Sequence, residues 1–149
     1  MPIFKSLFVA FLMVYASGCG CTLAGCEDGV AFELKRTSGD WEPGKYTFAV
    51  DADGAKSNCT VDIPIVADPT CTAGLQLDFF SEATDASSGT SGVRSVLLFG
   101  APTQVTLTVS RDAVELAKKT STPTYTKFEP NGEICGPTCH GATEALTIP

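Results

Sequence analysis

The chain has 149 residues, a formal net charge of −7, seven cysteines, one histidine, one tryptophan and two methionines. A chain of this length is normally one domain with room for a real hydrophobic core. The acidic balance argues against a nucleic-acid partner, which needs a basic face to displace counterions, and a single imidazole removes most metal and triad chemistry.

The first elements in chain order concern export. Lys5 is the only charge in the first 26 residues, and Ser6–Tyr15 is almost continuously apolar. That run is half the roughly 20 residues a membrane-spanning helix requires. Residues 1–18 therefore read as a signal peptide and are set aside from the fold. No later stretch approaches spanning length.

Two short sequences follow: Ala16-Ser17-Gly18-Cys19 and Leu23-Ala24-Gly25-Cys26. Both resemble the lipobox of bacterial lipoproteins, in which small residues precede a cysteine whose sulfur receives a diacylglycerol. The resemblance covers the first 26 residues and implies an address, not an activity. Cys19 is the preferred attachment site because it follows the apolar core after three residues; Cys26, with the closer lettering, is the alternative. The alternative to both is ordinary signal cleavage. By analogy with Gram-negative lipoproteins, Gly20 after Cys19 (or Glu27 after Cys26) implies the outer membrane. Residues 19–29 then serve as a lipidated N-terminus and short tether, and 30–149 as the domain.

Lipidation at Cys19 leaves Cys21, Cys26, Cys59, Cys71, Cys135 and Cys139, an even set suited to disulfides in an oxidising compartment. Spacing cannot fix the connectivity; pairing sequence neighbours (21–26, 59–71, 135–139) is the choice of lowest entropy.

From Val30 onward apolar residues alternate with polar ones: Val30/Phe32/Leu34, Tyr46/Phe48/Val50, Cys59/Val61/Ile63/Ile65, Leu75/Leu77/Phe79, Val105/Leu107/Val109 and Leu146/Ile148. Turn residues fall between them: Pro43-Gly44, Asp53-Gly54, Asp68-Pro69 and Pro130-Asn131-Gly132. Pro64 marks an edge or a bulge. The pattern predicts an all-β, antiparallel Ig-like β-sandwich of about eight or nine strands stapled by disulfides. It lacks the Cys…Trp…Cys order of antibody domains, since Trp41 precedes Cys59. Asp112–Glu115 has capping-box form, but Val114 and Leu116 alternate, so a hairpin into a strand is expected there. Residues 81–92 form one Ser/Gly-rich loop.

Few motifs carry chemistry. Cys135-Gly-Pro-Thr-Cys139-His140 resembles three known arrangements. As a haem site its spacer is one residue too long and a second axial ligand is missing. As a thioredoxin-like dithiol it lacks a βαβ setting. As a copper site, two thiolates and an imidazole would suit the metal, so Cys135, Cys139 and His140 stand as the alternative metal or thiol-redox cluster; the plain reading is a structural disulfide beside an exposed histidine. Asp51-Ala52-Asp53-Gly54 begins like a calcium loop, but Asp62 stands where the terminal Glu belongs, and a hairpin turn accounts for it. Asn58-Cys59-Thr60 matches a glycosylation acceptor. No serine elbow or singled-out carboxylate pair indicates catalysis. Neither an enzyme nor a cofactor is expected. What remains is a binding or structural module, with Trp41, in a polar turn, as the candidate surface contact to an envelope protein or a glycan; Tyr46 and Phe128 are expected in the core and Tyr125 is a further aromatic.

Overall fold

The structure is a computed structural model that describes residues 24–37, 39–81 and 90–149. The signal peptide, Cys19, Cys21 and most of the Ser/Gly-rich loop lie outside the described residues. Ten strands and no helix occupy what is described: β1 (Gly29–Arg36), β2 (Gly44–Ala52), β3 (Ala55–Ile63), β4 (Thr70–Cys71), β5 (Leu75–Ser81), β6 (Ser91–Phe99), β7 (Val105–Arg111), β8 (Val114–Ser121), β9 (Thr126–Phe128) and β10 (Cys139–Ile148). The count exceeds the sequence expectation because β4 and β9 are too short for alternation to reveal.

The strands form two five-stranded sheets. One has the order β5-β6-β1-β10-β9, the other β4-β3-β2-β7-β8. Alternating residues of both build one shared core, in a sandwich-like all-β arrangement. Val30 and Phe32 of β1, Val93, Val96 and Leu98 of β6, and Leu146 and Ile148 of β10 come from the first sheet. Tyr46, Phe48 and Val50 of β2, Val61 and Ile63 of β3, and Val105, Leu107 and Val109 of β7 come from the second. Burying such side chains is worth about 1.5–3 kcal/mol each.

One pairing departs from the antiparallel expectation. β1 runs parallel to β10, with Gly29 opposite Gly141 and Arg36 opposite Ile148. Alternation reports which face a residue takes, not the direction of its neighbour, so sequence periodicity could not show this.

The second sheet is an antiparallel set built from tight turns. Asp53 and Gly54 have φ of 50° and 88°, the left-handed pair a two-residue hairpin needs. Asp112 and Ala113, at 49° and 68°, do the same between β7 and β8, which makes Val114–Ser121 a strand and removes the helical alternative. Each turn also clips a neighbouring strand. Oδ1 of Asp53 accepts from the Thr103 hydroxyl (2.7 Å) and the Gln104 N–H (2.9 Å), and Oδ2 from the Thr103 N–H (2.8 Å). Oδ1 of Asp112 accepts from the Lys45 N–H at 2.9 Å, while its own N–H donates to the Lys45 carbonyl. The two aspartates thus close both ends of the β2/β7 pair, which runs from Tyr46–Arg111 to Ala52–Val105. Gly44 is required beside the second clip, because a Cβ there would stand 2.7 Å from Oδ2 of Asp112. Pro64 directly follows β3 and, lacking an N–H, stops it.

Candidate functional site

The strand register defines two ends of the stack. The chain enters at the proximal end, where Gly29 pairs with Phe99 and Gly141, and Gly141 with Thr126. At the distal end Gly44 meets Asp112, and Trp41 meets Gly92.

The Cys135/Cys139/His140 cluster lies at the proximal end, but its sulfurs are already bonded. Cys139 is joined to Cys26, with Cα atoms 6.0 Å apart and a sequence separation of 113. Cys135 is also disulfide-bonded. The neighbour pairings of Cys135 with Cys139 and of Cys26 with Cys21 are therefore corrected. The register explains why: β1 and β10 are adjacent and parallel, so the segment leading into β1 meets the first residue of β10. Cys59 and Cys71 do pair, as neighbours across β3 and β4. Cys139 and Cys135 are each in a disulfide, and Cys139 is bonded to Cys26, so the two do not form a dithiol pair with each other. His140 serves the entering chain instead: its N–H donates to Oδ1 of Asp28 at 2.6 Å, and its ring lies 3.4 Å from the same oxygen. Among the described residues no group of His, Cys, Asp and Glu is arranged to hold a metal.

The entering segment is fastened at every second residue or so. The side-chain amide of Asn131 donates to the Ala24 carbonyl (2.8 Å) and to the Gly136 carbonyl (2.7 Å). Cys26 carries the disulfide, and the Asp28 carbonyl accepts from the Gly100 N–H at 2.8 Å. Glu129 in the same loop accepts from Lys127, whose ammonium holds its carboxyl below the usual range, with a further bond from Thr138.

Beside these fastenings, on the outer face of the first sheet, is an open groove of about 450 Å³. Its floor is made of small residues in adjacent strands: Gly29, Ala31 and Gly141. Nothing lies within 4 Å of where a Cβ of Gly141 would stand, so the missing side chain is part of the open space. Its walls are Leu97 and Phe99 on one side, Thr126 and Phe128 on the other. Phe99 is 43% exposed and Phe128 57%, which corrects the expected core position of Phe128. Its strand, β9, pairs over Cys139–Gly141 at the sheet edge, and Phe128, opposite Cys139, takes the outer face with Gly141, away from the shared core. Ile134, in the loop after β9, is 91% exposed. Sequence reasoning missed Phe99, Ile134 and the glycine floor, because nothing in the local pattern says which apolar residue ends up uncovered.

The distal end behaves differently. Trp41 is 9% exposed and is corrected from surface contact to core. Its ring stands edge-on to Tyr46 at 5.0 Å and tilted to Phe48 at 6.3 Å, with the Arg36 guanidinium 5.7 Å from its centre. Gly92 makes the space: a Cβ there would be 2.1 Å from the indole Cδ1. Tyr46 is fully buried as expected, donates its hydroxyl hydrogen to the Glu42 carbonyl (3.0 Å), and has its ionisation pushed up by burial. Tyr125 is partly buried, and its hydroxyl donates to the Pro102 carbonyl at 2.8 Å.

The remaining motifs resolve structurally. Asp51 accepts from the Gly54 N–H (2.9 Å) and Asp53 holds Thr103 and Gln104, so both carboxylates of the calcium-like stretch serve the hairpin. Asn58 is exposed next to Thr72, on the strand pair stapled by Cys59–Cys71.

The chain matches no family model, no curated protein and no solved structure.

Proposed function

We propose that this chain is a lipid-anchored envelope protein, exported by residues 1–18 and modified at Cys19, whose Ig-like β-sandwich acts as a binding or structural module at the outer membrane. The observation that carries this reading is the disulfide between Cys26 and Cys139. A sulfur in a disulfide cannot also hold a thioether, which supports the upstream lipobox over Cys26. Oxidised Cys59–Cys71 and Cys135 fit an extracytoplasmic compartment.

The geometry gives this module a direction. The lipid end of the chain enters at the proximal end; Ser81 and Ser91, which bracket the Ser/Gly-rich loop, lie at the distal end, where both serine hydroxyls bond the Ile65 backbone. The partner proposed for the module is an envelope protein or a glycan. The test is the intact mass of protein matured in a bacterial host, compared with Cys19→Ala and Cys26→Ala variants. The reading expects a diacylglycerol adduct that Cys19→Ala abolishes and Cys26→Ala retains. An adduct lost only in Cys26→Ala, or no adduct at all, overturns it.

A further inference from the structure

The five large exposed hydrophobics among the described residues are unevenly placed. Val66 and Val114 are single aliphatic residues at the distal end, beside Ile65 and the Asp112 turn. Phe99 and Phe128 line the groove at the proximal end, and Ile134 lies in the β9–β10 loop that holds Ala24 at the same end. Scattered apolar residues need no explanation, whereas two aromatics and an isoleucine in one region mark a contact surface.

The chain itself says what this surface meets. Ala24 is held by Asn131 and Cys26 by Cys139, so this part of the chain is seated at the proximal end. From Cys19 to Ala24 a fully extended backbone spans at most about 18 Å. That is shorter than the roughly 26 Å that the eight residues of β1 span from the proximal to the distal end, at about 3.3 Å per residue. A lipid on Cys19 therefore holds the proximal end, not the distal one, toward the membrane. We propose that the proximal end lies against the bilayer surface, with Phe99, Phe128 and Ile134 turned into the headgroup–acyl boundary, so that the anchor fixes the orientation of the domain as well as its location. This rests on the anchor at Cys19.

Charge narrows the kind of surface. Lys127 is paired with Glu129, and His140 lies against Asp28. Glu27 and Glu133 stand in the same region with no ion pair among the described residues. An apolar patch with an acidic fringe fits zwitterionic lipid and is repelled by anionic headgroups, the reverse of a polybasic membrane-binding patch.

The lone native tryptophan makes the test clean, since Trp41 is buried at the far end. Lipidated Ile134→Trp and Val66→Trp variants are placed in phosphatidylcholine vesicles with and without brominated acyl chains, and the adduct is confirmed by mass on the same samples. Both positions are exposed, so neither change disturbs the core. The added tryptophan at 134 is expected to lose most of its fluorescence to bromine. The one at 66 and native Trp41 keep theirs, and phosphatidylglycerol weakens the effect at 134. If the adduct is present and position 134 is no more quenched than 66, the orientation is wrong while the anchor stands, and the patch is left to a protein partner. If the adduct is absent, the anchor fails, and the orientation with it.

Discussion

The two ends of the molecule handle apolar surface in opposite ways. At the distal end a bulky aromatic is taken in: Trp41 packs on Tyr46 and Phe48 over a glycine that makes room for it. At the proximal end Phe99, Phe128 and Ile134 are left in water, although the surrounding backbone is held by a disulfide and by the Asn131 and Asp28 bonds. Stability at the distal end comes from packing, and at the proximal end from links between segments remote in sequence. Apolar side chains that a rigid frame holds outward do not serve the frame.

This contrast is sharpest in what each end loses when cut. Replacing Cys26 and Cys139 together by serine opens a loop 113 residues apart, and chain entropy puts the cost at about 4–5 kcal/mol. The same change at Cys59 and Cys71, 12 residues apart, is expected to cost about 3 kcal/mol. Urea unfolding of the two double variants reads the difference directly; equal costs would show that the proximal link is not the long-range staple described.

Trp41→Ala probes the other end and is expected to cost about 3–5 kcal/mol by leaving a cavity. Gly92→Ala should reproduce part of that loss, about 1–3 kcal/mol, by pushing the indole out. Loss of near-ultraviolet circular dichroism from Trp41 in Gly92→Ala would confirm the mechanism; an unchanged signal would contradict it.

A smaller effect depends on pH. Hydrogen bonds from the Thr103 hydroxyl, then from the Thr103 and Gln104 backbone, hold the Asp53 carboxyl below its ordinary range. A depressed folded-state pKa gives stability that is present above the ordinary carboxylate pKa and lost as pH falls through the lowered one. Asp53→Asn should therefore lower the melting temperature near neutrality and converge with the parent in acid; a constant gap at every pH would assign the effect to turn geometry alone. The smallest effect belongs to the exposed patch. Ile134→Ser and Phe128→Ser should leave stability within about 0.5 kcal/mol of the parent, and a large loss in urea unfolding would mean they are structural after all.

Much of the core was legible in the sequence, since Val30, Phe32, Tyr46, Phe48, Val61, Leu75, Leu107 and Ile148 all alternate and all are buried. The Asp53-Gly54 turn was legible for the same reason: local chemistry decides it. What alternation cannot carry is the neighbour relation. The parallel β1/β10 pair and the Cys26–Cys139 bridge that follows from it are set by how remote strands meet. Trp41 sits in a polar turn and looks exposed until Gly92, far along the chain, opens a place for it. Phe128 reads as core, yet its pairing opposite Cys139 puts it on the outer face of the first sheet, away from the core.

The most direct test is an unreduced peptide map of the matured protein. The account predicts Cys26 linked to Cys139, with the lipid on a peptide beginning at Cys19. A thioether on Cys26, with Cys139 free or paired elsewhere, would contradict it and leave the proximal end without its staple.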